Sequence, residues 1–149
     1  MTEKPVARYT VAVLCGCLVC LILLGCGGGP DLPPVAGVSG VVTIDGKPLP
    51  RGTIQFVPDE SKGTAGATAV GTIGPEGRYT LQTAGVDGAI VGFHKVGVYA
   101  LEKEPEDETA PPPPPLIPPK YFKADTSELT AEVKAGEDNE INFPLKSRP

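Results

Sequence analysis

Val38-Ser39-Gly40-Val41-Val42-Thr43-Ile44 runs into Asp45-Gly46, and after Lys47-Pro48-Leu49-Pro50 the chain resumes as Thr53-Ile54-Gln55-Phe56-Val57. Side chains two apart share a face of an extended segment, so Val38, Gly40, Val42 and Ile44 line one side of a strand over about residues 37–44. Asp45-Gly46 is a turn dipeptide, and Pro48 and Pro50, which lack an amide hydrogen, are expected to end regular pairing there. Thr53 to Val57 then points Ile54 and Phe56 inward as a second strand.

The same rhythm continues outward from this pair. Pro58 to Gly66 reads as a polar loop, Ala67 to Ile73 as a weaker third strand, and Gly74-Pro75-Glu76-Gly77 as a turn. Arg78 to Gln82 follows, with Tyr79 and Leu81 on one face, and another turn passes through Gly85 and Asp87-Gly88. Phe93 to Leu101 alternates His94, Val96, Val98 and Ala100 against Lys95, Gly97, Tyr99 and Leu101, and two partly apolar faces fit a strand well inside a sheet. Leu129, Ala131 and Val133, then Ile141, Phe143 and Leu145, supply the last two strands, joined through Gly136 to Asn139. No helical stripe competes with this pattern. About seven short strands separated by turns predict an all-β domain over 37–146, a single antiparallel Greek-key β-sandwich.

The N-terminal part obeys different rules. Lys4 and Arg8 precede Val11 to Leu24, an apolar run interrupted only by Gly16, and the run stops at Leu23-Leu24-Gly25-Cys26. Fourteen residues rising about 1.5 Å each reach about 21 Å, short of a hydrocarbon core of about 30 Å, and Gly27-Gly28-Gly29-Pro30 resists extending the helix. A signal peptide over residues 1–25 is therefore expected rather than a spanning helix. Leu23, Leu24, Gly25 and Cys26 resemble the lipobox of bacterial lipoproteins. The resemblance implies cleavage after Gly25 and lipidation of the Cys26 sulfur, and two or more acyl chains hold a protein stably to a bilayer.

Composition agrees with that reading. Cys15, Cys17, Cys20 and Cys26 are the four cysteines, so the chain after the lipobox has no thiol to pair. The net charge of −5 becomes −6 once Glu3, Lys4 and Arg8 leave with the leader, which argues against nucleic acid and leaves membrane attachment to the lipid anchor. Residues 26–36 read as the lipidated cysteine plus a Gly/Pro tether. Gly27 rather than aspartate follows Cys26, and the resemblance to lipoproteins then implies a place in the bacterial cell envelope, the outer membrane favoured, with the protein facing periplasm or cell surface.

Residues 102–119 form an acidic and Pro-rich loop. Glu102, Glu104, Glu106, Asp107 and Glu108 precede Pro111, Pro112, Pro113, Pro114 and Pro115, and Pro118-Pro119 closes the run. Polyproline II at about 3.1 Å per residue would make Pro111 to Pro119 a stiff arm of about 28 Å, a candidate interaction surface; a rigid connector between sheets is the preferred reading. The acidic spacing lacks the Asp-x-Asp-x-Asp-Gly order of a calcium loop, so no metal is expected. His94 is the single histidine, expected as a hydrogen-bonded residue at the core edge, and Ser61 and Ser127 sit on separate loops, so no catalytic triad is expected. Neither an enzyme nor a cofactor is indicated.

Val38-Ser39-Gly40-Val41-Val42, Asp45-Gly46-Lys47-Pro48-Leu49-Pro50, Gly52-Thr53-Ile54-Gln55-Phe56-Val57-Pro58 and Gly77-Arg78-Tyr79-Thr80-Leu81 resemble the carboxypeptidase regulatory-like domain. The resemblance implies a transthyretin-like (prealbumin-type) sandwich of the kind common in small bacterial lipoproteins. His94 departs from a Gly-x-Tyr-x-Val pattern often found in related sequences, and no catalytic residue carries over. The expected function is a lipid-anchored envelope lipoprotein whose sandwich is a non-catalytic structural or protein-interaction module with an unknown envelope partner. A carbohydrate-binding module is the alternative, though tryptophan is absent and only Tyr99, Tyr121 and Phe122 are expected to be exposed for glycan contact. An accessory subunit of an envelope transport complex is a further alternative.

Overall fold

The computed structural model describes residues 32–104 and 111–147. Within them β1 (Val35–Ala36), β2 (Val38–Ile44) and β3 (Lys47–Pro48) are followed by β4 (Gly52–Pro58), β5 (Ala69–Ile73), β6 (Arg78–Thr80) and β7 (Gln82–Thr83). Then come β8 (Val86–Asp87), β9 (Ala89–Ile90), β10 (Gly92–Tyr99), β11 (Leu129–Val133), β12 (Asn139–Glu140) and β13 (Phe143–Leu145). The fold is an all-β sandwich. One sheet has the order β11-β10-β4-β5-β7-β8; the other is built on β2, flanked by β12 and β13 on one side and by β3 and β6 on the other.

The opening hairpin forms because Asp45 (φ 48°) and Gly46 (φ 81°) both adopt left-handed backbone, whose twist matches the flanking strands. Pro48 does not end the pairing as expected. It lies opposite Thr43 at a position that makes no ladder bond, and the ladder resumes with the Leu49 amide donating to the Val42 carbonyl at 3.0 Å. Pairing also starts earlier than residue 37, since Val35 and Ala36 pair with Ile90 and Ala89.

The strand expected over Arg78 to Gln82 divides at Leu81. Residues before it pair with β2 and residues after it with β5, so the chain passes from one sheet to the other. Leu81 itself donates to the Val38 carbonyl at 3.1 Å and accepts from the Gly88 amide at 2.7 Å, which satisfies its buried backbone during the crossing. The closing strands pair parallel to β2, Asn139 opposite Val38 and Phe143 opposite Val42, whereas the neighbours within the larger sheet are antiparallel.

Phe56 lies at the centre of the interior and is fully buried. Its ring meets Phe143 edge-on at 5.9 Å, His94 at 5.7 Å and Tyr79 at 6.4 Å, so one aromatic side chain of the larger sheet touches two rings carried by the smaller. Leu49, Ile54, Leu81, Val96, Val98 and Leu145 close the core around it.

The parallel ladder between β2 and the closing strands is interrupted at Ile141 and Asn142. The Ile141 carbonyl turns to accept from the Tyr79 hydroxyl at 2.7 Å, and the Asn142 side-chain oxygen accepts from the Val41 amide at 2.7 Å instead. This places the Ile141 carbonyl over Gly40. A Cβ at residue 40 would stand 1.8 Å from that oxygen, so the position admits only glycine without moving backbone. In a urea titration Gly40→Ala is expected to lower the unfolding free energy by about 1–3 kcal/mol, the usual range for overpacking. Gly46→Ala, with open space around it but a left-handed backbone, should lose only about 1 kcal/mol in the same titration.

Candidate functional site

Three neighbouring strands place Tyr99, Thr53 and Thr72 in one row on the outer face of the larger sheet, because Tyr99 lies opposite Thr53 and Thr53 opposite Thr72. Arg51 enters just before β4, and Leu101, Lys103 and Glu104 follow β10. Together these residues line a groove of about 330 Å³. The volume falls within the range of small-ligand sites.

Tyr99 is 45% exposed, and Phe122 meets its ring in an edge-on contact with centroids 4.7 Å apart. The second ring limits the rotamers of the first, which leaves a fixed aromatic surface beside the groove. Arg51 donates from Nη1 to the Glu102 carbonyl at 3.2 Å, which ties the guanidinium to the wall. An aromatic face, a guanidinium and two threonine hydroxyls can grip a polar ligand that has an apolar side. They provide no activated nucleophile.

A second concavity of about 400 Å³ is lined by Gly40, Val41, Thr72, Gly74, Arg78, Tyr79, Thr80 and Glu140. Two of its polar groups already have partners nearby, the Tyr79 hydroxyl on Ile141 and Arg78 on Glu76 at 3.6 Å, and it has no exposed aromatic ring. The groove at Tyr99 is therefore the better candidate.

No family model, curated protein or solved structure matches this chain. The residues themselves carry the functional argument.

Leu23, Leu24, Gly25 and Cys26 lie outside the described residues, as do Glu106, Asp107 and Glu108. Pro111 to Pro119 does not project as a free arm. The Glu102 amide donates to the Pro114 carbonyl at 2.9 Å and the Leu116 amide to the Ala100 carbonyl at 3.0 Å, pairing this stretch with the end of β10. Pro115, opposite Leu101, turns its hydrogen-free nitrogen away from that partner, so proline is tolerated there. Pro113 is buried and Ile117 anchors the connector in the core, while Pro111, Pro112, Pro114 and Pro115 are exposed, and Pro115 pairs with the groove's Leu101.

Of the three aromatics expected to be exposed, Tyr121 is buried and accepts from the Lys146 amide at 3.3 Å, and Phe122 is half-buried against Tyr99. The serines do not meet His94. Ser61 donates to Asp59 at 2.6 Å, a bond that, ahead of the opposing effect of burial, holds the Asp59 carboxyl below its usual pKa. The Ser127 hydroxyl donates to the Val96 carbonyl and accepts from the Leu129 amide at 3.1 Å, fastening the start of β11 to β10. Among the described residues no three His, Cys, Asp or Glu side chains converge as a metal site. Arg51 carries no sequence signal as a groove residue; only the register of β4 against β10 brings it beside Tyr99.

His94 lies deeper than the core edge expected for it. It is 1% exposed, its Nδ1 lies 3.2 Å from the Gly92 carbonyl, and its Nε2 has no hydrogen-bond partner. Burial holds its pKa below the ordinary value of 6.5, with the Gly92 carbonyl acting the other way. The unfolded chain therefore takes up a proton that the folded domain refuses. This contribution to stability is complete above about pH 6.5 and is lost as pH falls below it, towards the folded-state pKa. Urea unfolding at pH 7.5 and pH 5.0 should show a larger drop in midpoint for the native chain than for His94→Leu.

Proposed function

We propose that this chain is a lipid-anchored lipoprotein of the bacterial cell envelope whose β-sandwich is a non-catalytic interaction module. The observation that carries the reading is Leu23-Leu24-Gly25-Cys26 at the end of a charged and then apolar leader, followed at once by glycine. A thiol placed there is the acceptor for a diacylglyceryl group in the lipoprotein class that these residues resemble. The absence of aspartate after Cys26 favours the outer membrane. Sequence likeness to the carboxypeptidase regulatory-like domain supports the same reading, since sandwiches of that family are common in small bacterial lipoproteins.

Partner contact belongs to the end of the larger sheet, where Tyr99 and Arg51 border the groove and exposed prolines lie nearby. Rigid aromatic and proline surfaces lose little conformational entropy when they are covered, which suits them to recognition. Contact with a glycan is the second reading. It is favoured by the Tyr99 ring, braced by Phe122, beside the Arg51 guanidinium and the hydroxyls of Thr53 and Thr72.

Cells expressing the full chain are expected to incorporate labelled fatty acid into it and to retain it in the membrane fraction. Cys26→Ser should abolish both, and continued labelling of that variant would sink the anchor reading. Capture of envelope components on the full chain in detergent should fall at least tenfold with Tyr99→Ala combined with Arg51→Ala, about what loss of one interaction hot spot costs. Retention of a protein supports the interaction module, retention of a glycan supports the second reading, and capture unchanged by the double variant removes the groove from either.

A further inference from the structure

Among the described residues, β11 leaves an edge of the larger sheet open. The edge strands β3, β6, β8, β12 and β13 run only two or three residues, and β3 and β13 contain Pro48 and Pro144. Such lengths and prolines are the usual means of preventing edge-to-edge association. β11, the end strand of the larger sheet, is five residues long and has no proline, so nothing of this kind protects it.

Its free side can be assigned from the hydrogen bonds of β10. Phe93 uses both backbone groups on the β4 side, donating to Thr64 Oγ1 at 2.8 Å and accepting from the Asp59 amide at 2.9 Å. Backbone groups alternate sides along a strand, so His94 turns its own towards β11, where it faces Ala131. Leu129, Ala131 and Val133 therefore bond inward. Thr130 and Glu132 direct their amides and carbonyls outward, and among the described residues these groups have no partner. At the far end Lys134 is already closed off, because its amide and carbonyl bond the Asn139 side chain at 2.9 and 3.1 Å.

We infer that β11 pairs antiparallel with β11 of a second copy of this chain. A twofold axis allows three registers that set the strand's two outward-facing residues, Thr130 and Glu132, against themselves or one another. Setting Thr130 against Thr130 places Glu132 opposite the second copy's Glu128, and setting Glu132 against itself opposes two carboxylates directly. Like charges directly opposite are unfavourable. The remaining register sets Thr130 against Glu132, with Ala131 on the axis, and brings Lys134 opposite Glu128 at both ends. All four polar residues are exposed, and Glu128, at φ 61°, turns the chain into the strand. The charge pattern of this edge is thus complementary to itself in one register.

The contact consists of four backbone hydrogen bonds with a charge pair at each end, a small interface that gives a weak, concentration-dependent dimer. Sedimentation velocity of the full chain in detergent over a dilution series should show it. Thr130→Pro removes one outward amide without touching the bonds to β10, and is expected to abolish the dimer while leaving the thermal midpoint within a few degrees. Glu128→Lys should weaken dimerisation by about tenfold, because it sets a second cation opposite Lys134, and adding Lys134→Glu to that variant should restore it. A native chain that stays monomeric at the highest concentration overturns the inference. So does a dimer indifferent to Thr130→Pro, or a charge swap that fails to restore association.

Discussion

The contact of the Phe56 ring with Phe143, Tyr79 and His94 is the constraint on which the sandwich depends. Two sheets packed face to face need large side chains that reach the opposite layer, and this chain has few: four phenylalanines, four tyrosines and no tryptophan. Concentrating three of these rings and the single histidine at one point makes the core continuous across the layers. Removing so central a ring costs about 3–5 kcal/mol in typical domains, a large part of a marginal stability. The conformation of Gly40 follows from the same cluster. Tyr79 lies over the core with its hydroxyl on the Ile141 carbonyl, and that carbonyl occupies the space a side chain at 40 would need.

Polar side chains in the interior fasten ends of strands. Asn139 bonds the Lys134 amide and the carbonyls of Gly37, Lys134 and Glu137, so one buried amide closes the turn between β11 and β12 and attaches it to the start of β2. Ser127 does the same for the connector entering β11. Buried hydroxyls and amides placed this way satisfy backbone groups that the interrupted ladders leave over. Their commitment to carbonyls and amides also means that none is paired with the imidazole. His94 differs from them. Its Nε2 is the one buried side-chain polar atom without a partner among the described residues, which makes the interior sensitive to protonation there.

The proline-rich connector and the groove share one end of the larger sheet for a topological reason. After Tyr99 the chain continues along the line of β10, and residues 114–116 return beside it, so Leu101 pairs with Pro115 while lining the groove. The following turn over Pro119–Phe122 carries Phe122 onto Tyr99. The exposed Tyr99 ring and the exposed prolines are consequently held by the same short length of backbone. At the opposite end of β10 the partner is β11, and there the sheet stops at an unprotected edge.

Much of this was legible in the amino-acid order because alternation is local. The extent of β2, β4, β10 and β11, the inward faces of Ile54 and Phe56, and the Asp45-Gly46 turn all follow from a period of two and from left-handed backbone preferences. Whether a strand stays in one sheet is not local, and Leu81 shows it: nothing in Arg78 to Gln82 marks the crossing, which depends on Val38 and Gly88 supplying its bonds. The parallel pairing of the last strands, the burial of Tyr121 and the return of the prolines onto β10 were hidden for the same reason, since each is decided by a partner far along the chain. Sequence alone determined an all-β chain and its core positions. Tertiary structure decided which strands became neighbours, and thereby brought Arg51 to Tyr99, buried His94 against Phe56 and left β11 at an edge, because hydrogen-bond register and side-chain packing are satisfied only between segments that fold together.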